Sequence, residues 1–130
     1  MNTKLIMTVA AVFLAAMGFA LSFAADEIIK VLGGTPTETQ MLCLQLLGAM
    51  YYAFALLNWM AKGAIIGGIY NRPVAIGNFT HFVMGSIVLT RAVLTNDTMP
   101  ASIAVLAGLY VVLAVLFAFI TFRHPGTADN

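Results

Sequence analysis

The chain has 130 residues, 62% of them hydrophobic and 8% charged, with a mean hydropathy of +0.98 and a formal net charge of +1. This composition lies outside the range of soluble globular domains and points to a membrane protein. The near-neutral charge leaves no basic patch to neutralise phosphates, which argues against nucleic acid as a partner.

Long apolar runs separated by short polar breaks suit an all-α bundle, whereas a membrane barrel would show alternating segments of about ten residues. The length allows one membrane domain, residues 1–130. The expected helices cover residues 4–32, 36–62, 74–94 and 100–122, in an up-down four-helix topology. Cys43 is the single cysteine, lies in an apolar run, and says nothing of redox compartment.

The first apolar run, Leu5 to Ala25, follows Lys4 and covers roughly 31 Å, enough for a hydrocarbon core of about 30 Å. Ser22-Phe23-Ala24 resembles a signal-peptidase site, but the run is longer than an h-region of about 7–15 residues, so a retained span is expected. Beyond it, Asp26 to Leu32 mixes charges with apolar residues at helical spacing and should prolong the helix in the interface. Gly33-Gly34 then ends it, glycine accepting the left-handed conformation.

Thr35 is expected to cap the second helix, with Pro36 at its first position and Glu38 completing a capping box. This helix runs to about Lys62. Met41, Leu44, Leu47 and Met50 form a broad apolar surface, and Gly48, Ala49, Ala53 and Ala55 permit close backbone approach. The connector Gly63 to Arg72 is glycine-rich and apolar, and should lie against the membrane. Pro73 suits the first turn of the third helix and pushes Arg72 towards an extended conformation. Thr95-Asn96-Asp97-Thr98 reads as a tight turn, Pro100 opens the fourth helix, and Arg123-His124-Pro125-Gly126 closes it. Thr127 to Asn130 reads as a disordered tail.

Lys4, Lys62, Arg72 and Arg123 fall on one side of this topology. Asp26, Glu27, Lys30, Glu38, Arg91 and Asp97 fall on the other. The positive-inside rule then places both termini in the cytoplasm.

Polar groups gather between Asn58 and His81. Asn58 and Lys62 are one turn apart on the second helix, and Asn78 and His81 are one turn apart on the third. Antiparallel packing brings the two stripes to one level, where Tyr70 and Arg72 could close a polar, ligand-binding pocket. Polar side chains at membrane depth are costly in hydrocarbon and face protein or water, which gives Asn58, Lys62, Tyr70, Arg72, Asn78 and His81 a functional reading. The structural alternative is that Asn58, Asn78 and His81 only hydrogen-bond across helices while Lys62 and Arg72 snorkel to headgroups and Trp59 and Tyr70 anchor the interface.

His81 has no second histidine or carboxylate at ligand spacing, so no metal site is expected within one chain, and no cofactor is implied. No Asp or Glu lies within a span to carry protons. Gln45 and Arg91 lie towards the outer ends of their helices and could meet across an interface, or Arg91 could snorkel to Asp97 or Glu38. Asn78-Phe79-Thr80 and Asn96-Asp97-Thr98 match glycosylation sequons, the first inside a span. No nucleotide-binding, zincin or nucleophile-elbow motif is present.

Leu46-Leu47-Gly48-Ala49-Met50-Tyr51-Tyr52, Asn58-Trp59 and Gly68-Ile69-Tyr70-Asn71-Arg72-Pro73 resemble small bacterial four-helix membrane proteins of the DoxX-like type. The resemblance implies a four-helix bundle in the bacterial cytoplasmic (inner) membrane with both termini inside, and carries over no reaction. The expected function is a non-enzymatic subunit, self-associating or accessory to a larger membrane complex and surrounded by membrane lipids. One alternative is a binder or carrier of a lipid, quinone or other small amphiphile at the polar pocket. Another is an interfacial enzyme with His81 as general base and Lys62 or Arg72 holding an anionic headgroup.

Overall fold

The computed structural model describes residues 2–63 and 71–122, so the greater part of the connector, including Tyr70, and the expected tail lie outside the described residues. The chain is all-α, with α1 over Thr3–Phe23, α2 over Ala25–Val31, α3 over Glu38–Ala61, α4 over Arg72–Thr95 and α5 over Ala101–Phe122. Four of these, α1, α3, α4 and α5, are long and apolar enough to cross a bilayer. The protein is a small four-span integral membrane protein.

Local chemistry explains the helix ends. The Asn2 side chain accepts from the Leu5 amide at 3.1 Å and caps α1. The continuous helix expected over residues 4–32 is broken at Ala24, whose φ of −125° and ψ of 33° separate α1 from α2. Only the backbone ladder carries across, through Ala24 N to Ala20 O and Ile28 N to Ala24 O. Within α2, Lys30 pairs with Asp26 at 3.1 Å. Hydrogen bonding with Glu27, then with Lys30, holds the Asp26 carboxyl down at about 2, which keeps this segment charged at the membrane surface. Gly33, at φ 80°, turns the chain as expected, and the Gly34 amide reaches Ile29 O at 2.9 Å.

The cap of α3 lies two residues later than the Thr35 start. Thr37 Oγ1 accepts from the Gln40 amide at 3.3 Å, and Gln40 Oε1 accepts from the Thr37 amide at 3.2 Å. This reciprocal box uses Gln40, which sits three residues after Thr37, where Glu38 would have served a cap at Thr35. Arg72 is already helical rather than extended, because α4 starts at Arg72 with Pro73 in its first turn. In the turn after α4, Asn96 Oδ1 accepts from the Thr98 amide at 3.1 Å and the Thr98 hydroxyl at 2.7 Å.

The spans pack as two antiparallel hairpins. α1 lies along α3 and α4 along α5, whereas α3 and α4 touch only sparsely. In the first hairpin Met7, Ala10, Ala11, Leu14, Gly18 and Leu21 recur at helical spacing and are buried. The closest approach is glycine on glycine: a Cβ on Gly48 would collide with Ser22 Oγ and stand 2.9 Å from Gly18 O. In the second hairpin, Gly85 leaves room for the Tyr110 ring. Tyr110, Phe82, Phe117, Met7 and Leu14 are fully buried and belong to one hydrophobic core to which both hairpins contribute. The first residues of α1 and α4 and the last of α3 and α5 share one end of the bundle, called the terminal end below.

Gly48→Ala should therefore destabilise the protein by about 1–3 kcal/mol through overpacking. Gly108→Ala, where a Cβ meets nothing within 4 Å, should be neutral or gain up to about 1 kcal/mol of helix propensity. Thermal unfolding of both variants in one detergent checks the contrast.

Candidate functional site

α3 ends and α4 begins at the terminal end, so residues counted back from one helix face residues counted forward along the other. Asn58 is one turn before the end of α3, and Asn78 lies almost two turns into α4. Both are fully buried at 0% exposure. Asn58 Nδ2 donates to Asn78 Oδ1 at 2.7 Å, and Asn78 Nδ2 donates to Val74 O at 2.8 Å. This amide clasp is a direct polar link between α3 and α4. Asn58 Oδ1 has no hydrogen-bond partner among the described residues.

His81 is one turn deeper and joins a different group. Its Nε2 is 3.3 Å from the Tyr110 hydroxyl on α5. Tyr110 in turn hydrogen-bonds the Tyr51 hydroxyl on α3. With Nε2 as the acceptor, Tyr110 donates to His81 and accepts from Tyr51, so one polar chain joins three spans. Aromatic rings enclose the imidazole: Phe54 stacks on it with centroids 5.2 Å apart, while Tyr51 at 5.2 Å and Phe82 at 5.1 Å present edges.

The six residues expected to share a pocket are thus distributed. Asn58 and Asn78 bond directly, and His81 lies beside them along α4 with its own partners. Lys62 turns to the side, its Nζ 2.8 Å from the centroid of the Trp59 ring. Arg72 is exposed at the start of α4. Tyr70 falls outside the described residues. No three His, Cys, Asp or Glu side chains converge among the described residues.

Three polar participants were not singled out from sequence: Tyr51, Tyr110 and Thr121. Tyr51 precedes Asn58 by two helical turns, so the face carrying Asn58 already pointed to it. Tyr110 sits midway along the most apolar helix, where its hydroxyl needs a partner. Thr121 is in the last turn of α5, and its buried Oγ1 has no partner among the described residues.

The clasp makes an asymmetric prediction. Asn78→Leu strands the Nδ2 donor of the buried Asn58 amide, whose carbonyl already lacks a partner among the described residues, and should cost about 1–3 kcal/mol. Asn58→Leu removes an unpartnered carbonyl as well as a bond, so it should cost less, and Asn58→Leu/Asn78→Leu should recover part of the Asn78→Leu loss. Unfolding of the double-mutant cycle in SDS/detergent mixtures measures this. Tyr110→Phe, which removes the middle of the hydroxyl chain, should likewise destabilise more than Tyr51→Phe in the same assay. No protein-family model, characterised protein or solved structure matches the chain.

Proposed function

We propose that the protein is a non-enzymatic membrane subunit that assembles with a second copy of itself, α3 supplying the contact. The observation that carries this reading is Gln45. It lies seven residues into α3, roughly 10 Å from the helix end, is exposed on the bundle surface, and has no hydrogen-bond partner among the described residues. At that depth a carboxamide facing lipid loses its hydrogen bonds to water, and its side chain is too short to regain the interface.

A second α3 crossing antiparallel or at a two-fold axis would let Gln45 satisfy Gln45 of the other copy, since a carboxamide both donates and accepts. Ala49 and Ala53, one and two turns further along the same exposed face, keep the α3 surface low enough for close approach. Arg91 is a weaker indicator, because its longer side chain, about 6 Å from the end of α4, can reach the headgroups. It lines a groove of ≈ 430 Å³ on the bundle surface together with Ser86, Thr90 and Thr95. The distribution of Lys4, Lys62, Arg72 and Arg123 supports termini in the cytoplasm.

Gln45→Leu should raise the dimer dissociation constant about 3- to 30-fold, the equivalent of one interhelical hydrogen bond worth about 0.6–2 kcal/mol. Native mass spectrometry from lipid nanodiscs reads the subunit number directly. A monomeric wild-type protein, or a dimer unchanged by Gln45→Leu, would sink the proposal.

A further inference from the structure

A groove of ≈ 390 Å³ runs between α1 and α3 on the outer surface of the first hairpin. Alanine makes it: Ala11 and Ala15 of α1 lie across from Ala55 of α3, where longer side chains would fill the space. Leu56 and Trp59, both more than half exposed, line its α3 side. The lining is apolar and both helices are membrane spans, so the groove faces hydrocarbon. A second helix, about 10–12 Å across with its side chains, is too thick to enter a space of this size, whereas a single acyl chain fits.

The terminal end of the groove is cationic. Lys62 Nζ lies 2.8 Å from the centroid of the Trp59 ring, so its charge stands at the mouth of the groove instead of extending away from the protein. Lys4 flanks the same end from α1. It is seven residues before Ala11, and Lys62 is seven after Ala55, so each lysine lies two turns beyond a groove alanine on nearly the same helix face. The contact of Gly18 with Gly48 sets the register of the two helices. Lys4 is fourteen residues before Gly18 and Lys62 fourteen after Gly48, so antiparallel packing brings both to one level. Neither lysine has an ion-pair partner among the described residues. Among those residues the terminal end carries Lys4, Lys62 and Arg72 and no carboxylate side chain, since Asp26, Glu27, Glu38 and Asp97 all lie at the opposite end. A neutral amphiphile in the groove would leave these cations without a counter-charge, and a zwitterionic one would set its own cation beside them.

We propose that this groove is a binding site for an anionic phospholipid, one acyl chain lying along Ala11, Ala15 and Ala55 and the phosphate held between Lys4 and Lys62. The site lies about 10 Å or more along α3 from Gln45, since Tyr52, the first α3 residue to line it, is seven residues further on. It goes beyond assembly through Gln45 and does not depend on it. The test titrates lipid-free, detergent-solubilised full-length protein with dioleoylphosphatidylglycerol and with dioleoylphosphatidylcholine, which share their acyl chains, and reads adducts by native mass spectrometry. The anionic lipid should bind saturably and about tenfold more tightly than the zwitterionic one. Lys4→Gln/Lys62→Gln, which changes only side chains at the surface, should abolish that preference. Ala15→Phe should fill the groove and weaken both lipids at least about threefold. Equal binding of the two lipids by the wild-type protein, or a preference that survives Lys4→Gln/Lys62→Gln, would overturn the proposal. So would Ala15→Phe that folds yet leaves lipid binding unchanged, or that alters subunit number instead, which would make a second copy the occupant. Gln45→Leu should leave lipid binding unchanged, so assembly and lipid binding are read separately.

Discussion

The hydrogen bond from Asn58 to Asn78 is the constraint on which the arrangement of this bundle depends. In hydrocarbon, helices gain little by merely pressing apolar side chains together, because lipid tails offer the same contact. A carboxamide has no such indifference. α3 and α4 keep their backbones apart for most of their length, and the amide pair fixes how far one hairpin slides along the other. The Nδ2 of Asn78 donates back to Val74 O, which stops the side chain from rotating away. With that register set, His81 arrives among the rings of Phe54, Tyr51 and Phe82, and within reach of the Tyr110 hydroxyl.

Within each hairpin a different principle operates. Gly18 and Gly48 bring α1 and α3 into backbone contact, and Gly85 admits the Tyr110 ring beside α4. Dispersion across close surfaces holds the hairpins, and polar groups join them. The two mechanisms differ in specificity. Small residues allow many sliding positions, whereas a buried donor and acceptor allow one. The protein therefore concentrates its polar side chains where two separately packed units must find each other.

Much of this architecture was legible in the residues. Four apolar runs of sufficient length gave the spans, and counting turns from the helix ends placed Asn58 opposite Asn78. The break at Ala24 was not legible, because neither glycine nor proline marks it and alanine ordinarily favours a helix. The cap of α3 offered two threonines, and the reach of Gln40 back to Thr37 decided between them. Lys62 was readable as a pocket residue only while its rotamer was unknown; Trp59, three residues earlier on the same helix, captures it. Tyr110 and Thr121 escaped notice because a lone hydroxyl in so apolar a helix has no periodic signature, and which face it occupies depends on how α5 is rotated against α4. The likeness to DoxX-like proteins rests on short segments between Leu46 and Pro73, and no family model stands behind it.

The separation into hairpins also bears on how the chain is made. Synthesis proceeds from the N-terminus, and domains generally fold in that order. α1 and α3 hold all the residues of their own close-packed seam, so the first hairpin can settle in the bilayer before α4 has left the ribosome. During that interval the carboxamide of Asn58 has no Asn78, which lies 20 residues further along. The nascent protein thus carries an unmet polar group whose satisfaction waits on the next helix, giving insertion of the second hairpin a thermodynamic pull that the first hairpin does not need.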